Sequence, residues 1–429
     1  MKKPLTAETA ETAEEKILRI LGELCVLCGK PVLNEPLTGS AGRAILSLQN
    51  MYFDRSIFAR AVVLTLVMTG AAHAQTRQPS SAAPSTGPLS GYMDFHFNKT
   101  EGQDGVLDFH RFVLLFTHSF SPRIRFVGEL EIEHAFVEGL EEAGEVELEQ
   151  AYLDFLLTRA FNVRAGMVLV PIGIINERHE PPVFHGVERP FVDTVIIPST
   201  WFEAGAGIHG EVAGGLRYRA YVMAPLDATE FSADEGIRNG RQKGSQANVR
   251  NVAYTGRVEW VGTRNLTVGV SGWTDKSSFS LRRLNAGVRI GEADVRYRRG
   301  RLETRGQFAQ VSIRDAGALN EALARLKGVS PNIARSLRGF YGEAGYRAWA
   351  DGPGRDLVAF TRYENFDTQF RMPQGFLPLQ EFDRDAWVVG LTYYPDPDIA
   401  VKVDYARVRN RSGIIRSPNV VNIGLGWWF

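Results

Sequence analysis

The sequence predicts an all-β fold, a transmembrane antiparallel β-barrel of about sixteen strands, and three observations predict it. Apolar and polar residues alternate along many segments between residues 89 and 429. Short turns and long loops join these segments in alternation. No run reaches the roughly 18 apolar residues of a membrane-spanning helix. An even number of strands with short periplasmic turns and long extracellular loops is typical of outer-membrane barrels.

Composition narrows the function classes. The 429 residues carry 49 basic and 49 acidic side chains, and 44% of them are hydrophobic. This hydrophobic content excludes general disorder, and the balanced charge does not suit a nucleic-acid-binding protein. We therefore expect no nucleic-acid partner.

The first 88 residues are predicted to precede the barrel. Residues 1–50 resemble no part of it and are interpreted as a non-native or mis-annotated extension, and a single Cys25/Cys28 pair is too little for a zinc site. Residues 51–74 have a basic start, an apolar run over 61–68 and small residues at Ala72 and Ala74, which is typical of a signal peptide. Residues 75–88, rich in Ser, Pro and Ala, are a flexible lead-in.

Strand periodicity is clear near residues 124–132. Ile124, Phe126 and Leu130 fall in one phase, whereas Arg125 and Glu131 fall in the other. Successive strand side chains point to opposite faces, so one face is apolar and one is charged. A soluble β-sandwich would also bury one face, but the many charges on the other face favour a water-filled lumen.

Sixteen such segments follow one another along the chain. They begin near residues 89, 106, 123, 146, 163, 202, 216, 252, 266, 282, 302, 338, 357, 385, 399 and 419. The segment that begins near 282 changes phase at Gly291, which predicts a β-bulge.

The loop Gly173–Trp201 is predicted to fold inward and narrow the lumen. Its prolines stiffen it, and Glu177, Arg178, Glu188 and Arg189 could set a charged constriction that filters ions by sign. Alternatively, these charges pair with one another and hold the loop in shape.

Arginines on the strands are predicted to face the lumen as an anion path. The candidates are Arg123, Arg125, Arg217, Arg219 and Arg257. Glutamates share that face, so cross-strand pairing could neutralise the arginines instead.

The last strand carries an assembly signal. Apolar residues recur at every second position through Ile423, Leu425, Trp427 and the terminal Phe429. This pattern is what the barrel-assembly machinery of the bacterial outer membrane recognises, so we expect that machinery to be a partner.

Five stretches resemble the phosphate- and pyrophosphate-selective porin (porin O/P-like) family of Gram-negative bacteria. They are Glu149–Asp154, Val163–Met167 with Pro171–Gly173, Arg362–Glu364, Gly390–Pro395 and Val401–Tyr405. The resemblance implies a sixteen-strand barrel, a homotrimer and passive diffusion of anions, with phosphate as the candidate solute. The family's constriction uses lysines, whereas only five lysines follow residue 75 here, which leaves a general porin open.

The expected function is an outer-membrane porin for small hydrophilic solutes, anion-preferring, in a Gram-negative cell. Outer-membrane lipid and lipopolysaccharide are its expected surroundings. The alternatives are a plugged structural or adhesive barrel and, with less support, a barrel hydrolase. No nucleophile elbow or HExxH pair occurs, so we expect no enzyme, no catalytic residues, no metal and no cofactor.

Overall fold

The computed structural model describes residues 88–134, 144–277, 281, 284–352 and 354–429. The predicted extension, the signal peptide and the lead-in up to residue 87 lie outside these residues. The acidic loop at 135–143 also lies outside them.

The described chain is dominated by sixteen β-strands. Their bounds are β1 Leu89–Thr100, β2 Gly105–Ser121, β3 Ile124–Glu133, β4 Glu145–Phe155, β5 Asn162–Leu169, β6 Phe202–Val212, β7 Leu216–Met223, β8 Ala253–Thr263, β9 Leu266–Thr274, β10 Val288–Arg299, β11 Leu302–Ile313, β12 Ser336–Ala350, β13 Asp356–Arg371, β14 Asp383–Asp396, β15 Ile399–Asn410 and β16 Val420–Trp428. One α-helix, α1, covers Ala316–Lys327 between β11 and β12.

The strands form one closed barrel in which each pairs with its sequence neighbours, and β1 closes the ring against β16. All sixteen pairings are antiparallel. This confirms the predicted fold class and strand number. No helix among the described residues is long and apolar enough to cross a membrane.

Alternation along each strand separates an outer face from an inner face. On β8, Tyr254 and Trp260 point outward and are 57% and 39% exposed. Their neighbours Arg257 and Glu259 point into the lumen and are each 2% exposed. The apolar outer face is the one suited to lipid, because hydrocarbon cannot solvate charged side chains.

The bulge predicted at Gly291 is wrong. Strand β10 pairs with β9 and β11 in continuous register. The phase change has another cause: Val288 and Ile290 point inward and join an apolar cluster inside the lumen. Sequence alternation therefore breaks where the lumen itself is apolar.

That cluster is the core of the molecule, and it lies inside the barrel. It combines inward strand residues with loop residues such as Ile174, Trp201, Leu226 and Phe231. The long loops after β5 and β7 therefore fill part of the lumen with apolar side chains.

Candidate functional site: the constricted lumen

Two loops narrow the lumen. The first lumen loop is residues 170–201, between β5 and β6, and the second is residues 224–252, between β7 and β8. The first lumen loop contains residues 173–201, the segment that the sequence predicts to fold inward.

The first lumen loop begins and ends at one point of the wall. The Asn176 side chain donates to the carbonyls of Val170 (2.7 Å) and Trp201 (2.8 Å) and accepts from the Trp201 amide (2.7 Å). The buried side-chain amide of Asn176 thus closes the base of the loop and satisfies three backbone polar groups there.

The same loop is fastened to the opposite wall. The Val187 amide donates to Asp404 on β15 (2.6 Å), and the Val192 amide donates to Glu364 on β13 (3.1 Å). The amine of Lys402 donates to the carbonyl of Gly186 (2.7 Å). The loop therefore spans the barrel from β5 and β6 to the strands facing them.

Glycines on β16 allow this close approach. Gly424 and Gly426 face the lumen, and a Cβ on Gly426 would come within 2.4 Å of the Pro181 ring. At Gly424 a Cβ would meet Val187 at 2.9 Å. Because glycine has no side chain, the loop can pack directly against the backbone of β16 at these positions.

The second lumen loop packs against the first. Arg238 donates to the Thr194 carbonyl (3.1 Å) and to the Ser199 carbonyl, both in the first loop. Thr368 on β13 donates to the carbonyl of Ala233 (2.6 Å). The two loops thus support each other within the lumen.

Between these loops and the wall of β1–β4 lies a chamber of about 300 Å³. Its wall side carries acids, namely Asp94, Glu131, Glu133, Glu147 and Glu149. Its loop side carries cations, namely Arg189, Arg238, Arg241 and Lys243. Opposed charges across a narrow passage create a transverse field.

The wall acids near this chamber already have partners. Arg111 lies 3.4 Å from both Asp94 and Glu131. Glu147 pairs with Lys243, and Glu149 lies 3.2 Å from His179.

The loop arginines are less compensated. Within the described part of the chain, neither Arg189 nor Arg241 forms an ion pair, and Arg238 has only Glu235 at 3.9 Å. Arg189 donates to the Thr200 hydroxyl (2.9 Å) and the His179 carbonyl (3.3 Å). Burial, and then the like charge of Arg238, lower the pKa of Arg241 to about 10, so it still carries its charge at neutral pH.

The four charges predicted for the constriction separate into two groups. Glu177 pairs with Arg219 at 2.8 Å, and Arg178 lies on the same side of the loop, near enough to Arg296 for their charges to interact. Glu188 and Arg189 instead both line the chamber, where Glu188 lies 3.1 Å from His96 on the wall.

The predicted strand arginines are mostly paired. Arg125 lies 3.4 Å from Asp154, Arg217 lies 3.2 Å from Glu211 and Arg219 lies 2.9 Å from Glu259. Arg257 is surrounded by three carboxylates. Arg123 lies in the turn between β2 and β3, where it is exposed.

Two groups of side chains have the spacing of metal ligands. Asp108, His110 and His134 place one ligand atom each within 4.8 Å of one another near the loop end of β2 and β3. Glu129, Glu149 and His179 do the same inside the lumen. In the second group, His179 Nδ1 lies 3.1 Å from the Asn176 carbonyl, which leaves Nε2 directed at the carboxylates.

Sequence reasoning missed Arg238, Arg241 and Lys243. The signal was present, since three cations occur within six residues of a long loop that also contains Leu226 and Phe231. Large apolar residues in such a loop indicate that it packs against something.

No protein-family model matches the chain. An uncharacterized protein of Aquifex aeolicus (strain VF5) is 34% identical over 331 residues, which are 74% of this chain and 75% of that protein.

Two solved structures share the fold. The Salmonella typhi OmpF complex with daunomycin has a TM-score of 0.52 at 12% identity, over 80% of this chain and 97% of that one. A loop L8 deletion mutant of OmpT, an outer membrane protein of Vibrio cholerae, has a TM-score of 0.51 at 12% identity, over 80% of this chain and 98% of that one. At this identity the likeness concerns the barrel architecture.

Proposed function

The chain belongs to the same family as the uncharacterized Aquifex aeolicus protein, and we propose that it is an outer-membrane porin that passes small hydrophilic solutes and prefers anions. The observation that carries this proposal is the charge asymmetry of the chamber. Asp94, Glu131 and Glu147 on the wall have cationic partners, whereas Arg189 and Arg241 on the loops lack a carboxylate partner among the described residues. Uncompensated cations at a constriction attract anions and repel cations.

Phosphate is a candidate permeant within this proposal. A guanidinium presents forked donors that match a phosphate group, and Arg238 and Arg241 come from one short stretch of the same loop. Titrating phosphate against a chloride current tests this finer point, because a solute that occupies the arginines reduces the current that chloride carries.

The proposal also includes the setting of the protein. The exposed apolar belt supports a Gram-negative outer-membrane location, with lipid and lipopolysaccharide around it and assembly through the barrel-assembly machinery. We include a homotrimer, which the family resemblance implies, and a non-enzymatic role. Sedimentation of the detergent-solubilised protein measures the oligomeric state.

A plugged barrel is the second candidate. The observation that favours it is the apolar cluster inside the lumen, to which both lumen loops contribute. A plug and a porin differ in a single measurement, since only a porin conducts ions when inserted in a planar bilayer.

The decisive experiment measures single-channel current and reversal potential under a KCl gradient. We expect steady conductance with anion preference. The double variant R238Q/R241Q should reduce the anion-to-cation permeability ratio roughly two- to fivefold, because it removes Arg241, which has no ion-pair partner among the described residues, and Arg238, whose pairing with Glu235 is long at 3.9 Å. The matched control R123Q alters an exposed turn arginine and should leave the ratio unchanged.

Each contrary result has a clear meaning. Absence of conductance in folded protein supports the plugged barrel. Conductance with cation preference, or a ratio that R238Q/R241Q leaves unchanged, contradicts the assignment of selectivity to the loop arginines.

A further inference from the structure

A row of aligned residues crosses the outer face of the barrel at its loop end. Cross-strand pairing places Tyr254 beside Thr274, Thr274 beside Arg289, and Arg289 beside Ser312. The row continues through Ser336 to Arg371. We call these six residues the outer row. Directly paired residues share a face, and every residue of the row except the buried Ser336 is exposed, so the row faces outward.

The outer row borders a groove of about 970 Å³. Residues from the loops after β7, β11 and β13 overhang it, including Val249–Val252 and Asp315–Gly317. The groove therefore has a floor of strands and a roof of loops.

Six cations line this groove, and all six are exposed. They are Arg250, Lys276, Arg289, Arg314, Arg335 and Arg371. Within the described part of the chain none of them forms an ion pair. Of the two acids in the lining, Asp275 is buried and accepts hydrogen bonds from the amides of Leu226 and Val288 (both 3.0 Å). The groove is thus strongly positive, in contrast to the inner wall of the strands, where most arginines are paired.

Below the outer row the wall is indented. Gly256, Gly272 and Gly291 stand side by side in register on the same outer face. A Cβ on Gly291 would meet nothing within 4 Å, and none of the three glycines carries a side chain that fills the space above the wall. We call these three residues the glycine dent.

Apolar side chains follow directly beneath the dent. Val258, Val270 and Phe308 are 39%, 53% and 42% exposed, and all lie on the outer face. From the loop end toward the turn end, the outer wall therefore presents first cations, then the glycine dent, and then apolar side chains. An amphiphile with an anionic head and acyl chains has that same order of polarity.

We propose that this groove binds a phosphorylated glycolipid of the outer leaflet, with phosphates on the arginines and acyl chains against the apolar rows below the glycine dent. Forked arginine donors suit phosphate oxygens, and lipid-facing charges are tolerated only near the interface, where headgroups lie. The apolar rows beneath the glycine dent select a membrane lipid over free phosphate. The proposal rests on the proposed outer-membrane location but not on conduction through the lumen, so a silent barrel that binds the lipid would leave it standing.

The test uses the full detergent-solubilised protein and native mass spectrometry. The probes are diphosphoryl lipid A, the same lipid without its phosphates, and inorganic phosphate. We expect diphosphoryl lipid A to bind the unaltered protein, with dephosphorylation or the variant R289Q/R335Q/R371Q weakening binding about tenfold or more.

A matched control separates a built site from general charge. The variant R407Q/R409Q/R416Q removes three exposed cations at the loop end of β15, outside the groove. It should bind lipid A as the unaltered protein does. Resistance to SDS at room temperature checks that both variants remain folded barrels.

Three results would overturn the proposal. Equal losses in the two triple variants would indicate nonspecific attraction. Full displacement of the lipid by inorganic phosphate would indicate a free-anion site. A change of oligomeric state in R289Q/R335Q/R371Q without loss of lipid binding would indicate that a second copy of the chain covers the groove.

Discussion

Arg257 is the residue on which the inner wall of β8–β10 depends most. Its guanidinium lies 3.1 Å from Glu259, 3.1 Å from Glu292 and 2.5 Å from Asp294, and the residue is 2% exposed. Gly269 makes room for this cluster, since a Cβ there would come within 2.3 Å of the Arg257 nitrogen. Arg257 is thus the cation that all three carboxylates share in a buried site, while Glu259 is also paired with Arg219 at 2.9 Å and with Arg296 at 2.7 Å.

Replacing Arg257 tests that dependence. R257Q leaves three carboxylates without their shared counter-charge, so we expect the free energy of unfolding to fall by about 3–5 kcal/mol. Urea unfolding in detergent micelles, followed by tryptophan fluorescence, measures the loss. Adding E292Q to R257Q should recover part of it, because one repelling charge is then removed.

Arg217 supplies the control. It also faces the lumen, but its side chain is 39% exposed, and among the described residues its one ion-pair partner is Glu211 at 3.2 Å. R217Q should cost less than about 1 kcal/mol, since solvent screens the pair. Equal costs for R217Q and R257Q would contradict a special role for the buried cluster.

At the scale of elements, the docking of the first lumen loop should depend on pH through Asp193. This carboxyl accepts from the Gln307 side chain on β11 (2.8 Å) and is fully buried. Burial raises its pKa from 3.8 to about 7, with Glu364 acting in the same direction and Arg362 against it. The docked loop therefore favours the protonated acid.

The direction of the effect follows from that shift. A free loop ionises Asp193 near pH 4, whereas the docked loop resists ionisation until about pH 7. Docking is thus strongest below pH 4, weakens as the pH rises and reaches its lower limit above pH 7. The full loss is roughly 4 kcal/mol, from about three pKa units at 1.36 kcal/mol each.

Hydrogen exchange of the backbone amides of residues 191–197 measures this docking. After correction for intrinsic exchange rates, protection should fall between about pH 4 and pH 7 in the unaltered protein. D193N keeps the shape of the neutral acid and should hold protection constant over that range. Parallel losses in both proteins would assign the effect to another group, of which Glu364 is the nearest candidate.

The sixteen strands could be predicted because each strand contacts two environments. On β8, Tyr254 and Trp260 lie on the lipid side, whereas Arg257 and Glu259 lie on the lumen side. The sequence therefore alternates between apolar and charged residues along the strand. The prediction failed only at β10, where the packed loops make the lumen side apolar as well. A strand can therefore be predicted from the sequence only where its two faces differ clearly in polarity.

Charge pairing in the lumen could not be predicted in the same way. The strand register places Arg219 directly opposite Arg257, yet both arginines form an ion pair with Glu259. Which charges meet depends on strand stagger and on loops that return from other strands. The sequence could therefore indicate that the lumen is charged, but not that Arg238 and Arg241 would be its less compensated cations.

At the scale of the whole molecule, the width of the passage is set by loops and not by the wall. A barrel of sixteen strands encloses a channel wide enough for water, and here the second lumen loop occupies part of it. Within the part of the chain that the structure describes, that loop forms no strand pairs with the wall, and β7 and β8 pair directly with each other up to Met223 and Ala253. The wall should therefore survive its removal.

Replacing residues 226–250 by a four-residue Gly/Ser linker tests this division. We expect the barrel to fold and the single-channel conductance to rise roughly two- to fourfold, because the apolar side chains of Leu226, Phe231 and Ile237 no longer fill the lumen. Shortening the exposed β15–β16 loop by residues 412–416 is the control and should leave the conductance unchanged. If the larger deletion also leaves it unchanged, the conducting path does not run past the second loop. If the deletion turns a silent barrel into a conducting one, the loop is a plug, and the molecule is the closed barrel that its apolar lumen also allows.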